Sequence, residues 1–181
     1  MNTKDTRNVI DKYKGLPHAD IVADLDAHGS TLQVAVDNVE RDFNMGTIVR
    51  SANAFGVRHV HVVGRRQWNK RGAMMTDKYL HVHYHASVDE FMAAIEGKVL
   101  VAVDNVDGAV TLDQATLPAN AVLLFGAEGP GILPELLQRA SSVVAIQQYG
   151  STRSLNVGVA AGVVMYEWSR RHNGGQLLTK Q

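Results

Sequence analysis

Two runs, Val99 to Val103 (Val-Leu-Val-Ala-Val) and Val122 to Phe125 (Val-Leu-Leu-Phe), are unbroken, apolar and too short to be helices. Such runs read as strands buried on both faces, so the chain must cover both sides of its sheet. Other strand-like runs are Leu32 to Val36, His59 to Val63, His81 to His85 and Val143 to Ile146. Helical segments alternate with them. Asn44 to Phe55 places Ile48, Ala52 and Phe55 on one face, and Ser87 is positioned to cap a helix running through Ile95. Ile132 to Ala140 follows, with Pro134 in its first turn. Ser154 is placed to cap a long helix ending near His172. The reading is α/β: an open, mostly parallel sheet with helices on both faces. Residues 1–29 form a charged, helical extension broken at Gly15-Leu16-Pro17. Residues 30–173 form one domain, and residues 174–181 a flexible tail.

Composition narrows the function classes. The 181 residues fit a single domain, and the 18 basic side chains balance 18 acidic ones, which argues against non-specific coating of nucleic acid. There is no Cys, so disulfides and thiolate metal sites are excluded. The N-terminus shows no apolar signal region, and no apolar run reaches the roughly 18 residues of a membrane span. The expectation is a cytoplasmic protein without membrane contact.

Ligands of open α/β sheets bind beyond the carboxyl ends of the strands. Two turns lie there: Gly126-Ala127-Glu128-Gly129-Pro130-Gly131 after Val122 to Phe125, and the Ser151 to Val157 segment after Val143 to Ile146. The first suits close backbone contact with a ligand or an ordinary strand-to-helix turn. It is neither a dinucleotide fingerprint nor a P-loop, which disfavours a Rossmann-type oxidoreductase. In Asn44-Met45-Gly46-Thr47-Ile48-Val49-Arg50, Asn44 is a good helix cap and Gly46 leaves the first turn bare for a ligand. Arg50 suits clamping a phosphate or stabilising an anion. The bland alternative is a capped helix with a solvated Arg. Gly158 and Gly162 beside Ala161 make a small-residue stripe suited to packing on another helix or a subunit. Arg65, Arg66, Lys70 and Arg71 flank Trp68, a mixture of charge and stacking surface suited to RNA, or else a solvated loop around a semi-buried Trp. His59, His61, His81, His83 and His85 alternate along two strands. A partly exposed strand face accounts for them better than a metal site, and no metal is expected.

Three of these pieces, in order over about residues 32–170, resemble the SpoU (TrmH-like) branch of the SPOUT RNA methyltransferases. They are Asn44-x-Gly46-x-x-x-Arg50 with Ala52 to Val57, then Phe125 to Gly131, then Ile146 to Asn156 leading into a long helix through Tyr166-Glu167. The chain departs from the family where Ile146-Gln147-Gln148 replaces a frequent Ile-Pro-Met, and where Gly158 follows the Asn-Val pair. The resemblance implies a C-terminal trefoil knot, S-adenosyl-L-methionine as methyl donor, and a ribose 2′-hydroxyl of tRNA or rRNA as acceptor, with tRNA favoured. It also implies a homodimer. The cofactor is expected near Val103, Gly126, Ile146, Ser154 and Leu155. The catalytic set is expected to be Arg50, Asn44, Glu128 and Asn156. The alternative is a knotted RNA-binding or ribosome-associated protein without methyl transfer.

Overall fold

In a computed structural model, which describes residues 5–38, 44–64, 67–127 and 131–172, the alternation resolves into a single sheet. Its strands are β1 (Ser30–Asn38), β2 (Val57–Gly64), β3 (His81–His85), β4 (Val99–Val103), β5 (Val110–Thr111), β6 (Ala121–Phe125) and β7 (Ser142–Ala145). Their order across the sheet is β3-β2-β1-β6-β4-β7-β5. All the named pairings are parallel. Central β6 is buried at every residue, as its unbroken apolar sequence requires. β1 and β4 flank it, with Val36 and Val103 both in register with Phe125. The carboxyl ends of three strands therefore meet at one edge.

The helices are α1 (His18–His28), α2 (Asn44–Ala54), α3 (Val88–Ala94), α4 (Pro134–Arg139) and α5 (Val157–His172). Met45, Ile48, Val49 and Ala52 of α2 and Ala161, Val164, Met165 and Trp168 of α5 pack on one face with Leu32, Val34, Val101 and Leu123. Phe91 of α3 and Leu136 of α4 pack on the other with Ala35, Ala102, Val122 and Leu124. Both faces are covered, as expected. The Gly158–Gly162 stripe meets α2 of the same chain: a Cβ on Gly158 would lie 3.0 Å from the Thr47 side chain. Ahead of β1, a 3-10 turn at Asp11–Tyr13 precedes α1. The tail 174–181 lies outside the described residues.

Two expectations need correction. Gly46 is bare, but its neighbour is the chain's own backbone: a Cβ there would come within 2.7 Å of Ala73 N and 2.8 Å of Gly72 Cα. Trp68 is only 9% exposed and packs in the core, its indole N–H 3.4 Å from the Tyr84 hydroxyl. It therefore offers no free ring face for stacking on a base. Lys70 beside it pairs with Asp77 at 3.0 Å. Arg71 is exposed, while Arg65 and Arg66 lie outside the described residues.

The alternating histidines form a hydrogen-bonded ladder across β2 and β3. His59 Nδ1 lies 3.0 Å from His83 Nε2, and His61 Nδ1 lies 2.9 Å from His85 Nε2. His61 Nε2 meets Gln33 Oε1 at 3.0 Å. Among the described residues no group of three or more His, Asp or Glu is placed to hold a metal ion. Each imidazole–imidazole bond needs one bare ring nitrogen, so at least one ring of each pair is neutral. Burial first, and then the charge of neighbouring imidazoles, pushes His59, His83 and His85 below their ordinary range and His61 down to about 3. These groups take up protons more readily when unfolded. Their contribution to stability is therefore complete above the unfolded value near 6.5 and is lost as pH falls below it. Urea unfolding followed from pH 7.5 to 5 should show falling stability, and His61→Gln should flatten the slope. A flat wild-type profile over that range would refute the neutral ladder.

Candidate functional site

A cavity of about 330 Å³ opens where β4, β6 and β7 end. Val103, Asp104 and Asn105 line it from β4, Phe125, Gly126, Ala127 and Gly131 from β6 and its turn, and Ile146 and Gln148 follow β7. Ser154, Leu155, Asn156, Val157 and Ala160 close it from the approach to α5 and its first turn. All five residues expected near the cofactor, Val103, Gly126, Ile146, Ser154 and Leu155, line this one cavity. They come from segments separated by as much as 52 positions.

Local geometry explains the shape. Gly126 crosses the returning chain so closely that a Cβ would lie 2.3 Å from the Gly131 carbonyl carbon and 2.6 Å from Ile132 N. No side chain fits there, which accounts for the glycine. Ala127 and Gly131 then bond reciprocally, each N–H 3.2 Å from the other's carbonyl, and Gly131 has φ +75°. On the opposite wall the Asn105 amide donates to the Arg153 carbonyl at 3.0 Å, tying the β4 end to the loop before α5.

The cap of α5 is Asn156, not Ser154. Asn156 Oδ1 accepts from Gly158 N at 3.0 Å and Val159 N at 3.2 Å. The helix starts at Val157, and exposed Ser154 stays in the loop on the cavity wall. An Asn that looked out of place inside a helix is well suited to ending one. Its Nδ2 also donates to Asn44 Oδ1 at 2.9 Å, across 112 positions. Asn44 and Asn156 are thus brought together at the junction of α2 and α5. Arg50 is exposed two turns along α2 and does not line the cavity. Glu128 lies outside the described residues.

Asp104 and Asp37 carried no signal that the sequence reading used. Asp104 follows β4, and its Oδ1 accepts from Asn105 N at 2.8 Å. The wall combines apolar side chains of Val103, Phe125, Val144, Leu155, Val157 and Ala160 with polar groups from Asp104, Asn105, Gln148, Ser154 and Asn156. A cleft of this size with both kinds of lining suits an adenosine-sized ligand.

Comparison with known proteins places this geometry. Residues 31–166 match the SpoU rRNA Methylase family. The tRNA (guanosine(18)-2′-O)-methyltransferase of Escherichia coli K12 is 30% identical over 153 residues, covering 81% of this chain and 67% of that one. The TrmH/SpoU tRNA modifying enzyme of A. aeolicus superposes with TM-score 0.75 at 25% identity, over 88% of this chain and 86% of the other. The SpoU methyltransferase AviRb of Streptomyces viridochromogenes, in complex with the cofactor AdoMet, gives TM-score 0.70 at 27% identity over 79% and 61% of the two chains.

Replacing Asn156 by Ala removes both the cap and the link to Asn44. It should cost about 1 kcal/mol or somewhat more of stability, read from urea unfolding. Asp at 156 should recover the cap but not the Nδ2 bond. Wild-type stability in Asn156→Ala would contradict the assignment.

Proposed function

Because the chain belongs to the SpoU rRNA methylase family, we propose that it transfers a methyl group from S-adenosyl-L-methionine to a ribose 2′-hydroxyl of tRNA or rRNA. The observation that carries this reading is the convergence of all five expected cofactor residues on one cavity at the sheet's carboxyl edge. The lining fits: residues at three strand ends would hold the adenosine, with Leu155 and Val157 as apolar walls. tRNA is the favoured acceptor, in line with the printed activity of the Escherichia coli relative. The C-terminal knot implied by the sequence resemblance belongs to this reading.

The bound donor supplies a sulfonium-activated methyl group, so the protein's task is alignment and removal of one proton. Asn156 and Asn44 hold the first turns of α5 and α2 against each other, which fixes the direction in which α2 presents its exposed residues. Arg50 on that helix holds the RNA phosphate and stabilises the developing alkoxide. A guanidinium, with a pKa of about 12 or more, is a poor proton acceptor, so the proton leaves by another route. Glu128 orients Arg50 or the substrate. Lys70, Arg71, Arg65 and Arg66 add positive charge along the RNA path.

The active unit is a homodimer. Val159, Val163 and Tyr166 stand 55%, 39% and 59% exposed on α5. They form an exposed apolar strip beside the α2-facing stripe, where the Tyr166 ring meets Phe55 edge-on with centroids 6.4 Å apart, and it fits a second copy of the chain. Sedimentation should give twice the chain mass, and Val163→Glu should shift the protein toward monomer. A monomeric wild type would refute the assembly.

The activity is tested by incubating labelled S-adenosyl-L-methionine with total tRNA and with rRNA, then mapping 2′-O-methyl sites. Arg50→Lys should bind S-adenosylhomocysteine as the wild type does and lose most turnover, since an ammonium cannot replace a planar fork. Turnover near wild type in Arg50→Lys and Arg50→Ala would remove Arg50 from the mechanism. Cofactor binding without transfer to either RNA pool would favour a binding protein.

A further inference from the structure

On the face opposite the cavity, near the end of β1, one carboxyl is fully buried. Asp37 is 0% exposed. Its Oδ2 accepts a hydrogen bond from Leu133 N at 2.8 Å, across 96 positions, and among the described residues its Oδ1 has no partner. Burying a carboxyl with half its acceptors idle is costly, and it is raised above its ordinary pKa by that burial. Packing alone does not explain why an acid stands here.

The position of its partner does. Leu133 closes the return of the β6 turn, the segment that Gly126 crosses at backbone contact distance. Asp104, on the other side of β6, takes the adjacent amide, with Ile132 N 3.4 Å from its Oδ2. β1 and β4 flank β6 in the sheet. Each of these strands thus sends one carboxyl to consecutive amides of the same return. Gly126, Ala127 and Gly131 between them form a wall of the cavity.

We propose that Asp37 is a positioning residue for the cofactor cavity, acting through Leu133 N to fix the Gly131–Leu133 return and hence the wall around Gly126. It touches no ligand itself. The proposal rests on the methyltransferase reading for what the cavity holds, but not for the hydrogen bond or the wall.

The test uses two independent cuts of one bond. Asp37→Ala removes the acceptor. Leu133→Pro removes the donor and leaves Asp37 in place; Leu133 has φ −53°, which suits proline, and its side chain is 40% exposed. Both variants should bind S-adenosylhomocysteine roughly tenfold more weakly by calorimetry, the loss expected for a bond to a charged group. In the absence of cofactor, Asp37→Ala should also speed hydrogen exchange at the Leu133 amide. Asp37→Asn, which keeps a carbonyl acceptor, should restore both readouts. Wild-type affinity in Leu133→Pro, or Asp37→Asn as weak as Asp37→Ala, would overturn the proposal. Should Asp37→Ala not fold, Leu133→Pro and Asp37→Asn still decide it. A wild type that binds no S-adenosylhomocysteine would sink the methyltransferase reading instead, and Leu133 exchange in Asp37→Ala against Asp37→Asn would then judge Asp37 alone.

Discussion

Backbone meets backbone at Gly126. The chain leaving the most buried strand of the sheet must cross its own return at 131–132 with no room for a Cβ. Everything at the carboxyl edge is arranged around that crossing. The Ala127–Gly131 bridge closes the turn, and carboxyls from the two neighbouring strands hold its exit. The cavity is the space left on the α5 side.

A second close approach sets the other half of the site. α2 lies between the Gly72–Ala73 backbone on one side, where Gly46 leaves no room for a Cβ, and Gly158 of α5 on the other, where a Cβ would lie only 3.0 Å from the Thr47 side chain. The Asn44–Asn156 bond then ties the helix starts. Those contacts set the position of α2 and, with it, of Arg50. The same contacts use up the small-residue stripe of α5 within one chain. What remains outward is Val159, Val163 and Tyr166, and this is the strip available to a second copy.

Much of this was legible in the sequence because it depends on local pattern. Val99–Val103 and Val122–Phe125 declared buried parallel strands, Ser87 declared a cap, and strand-end turns declared where to look for a ligand. The failures share a cause: the deciding partner is distant in sequence. Gly46 reads as open to a ligand until Gly72 arrives, and Trp68 reads as a stacking surface until the core closes over it. Ser154 and Asn156 are equally good caps by type, and the choice between them is set by α5 docking on α2. Asp37 carries no periodic signal, since an Asp at a strand end looks like an ordinary turn residue. β5 is only two residues long and makes no pattern at all.

If the crossing at Gly126 shapes a cavity for S-adenosyl-L-methionine, calorimetric titration of the full chain with S-adenosylhomocysteine should separate wild type from Gly126→Ala. Saturable binding is expected of the wild type, and its loss in a Gly126→Ala protein that still unfolds cooperatively. Equal binding by both proteins, or none by the wild type, would contradict it.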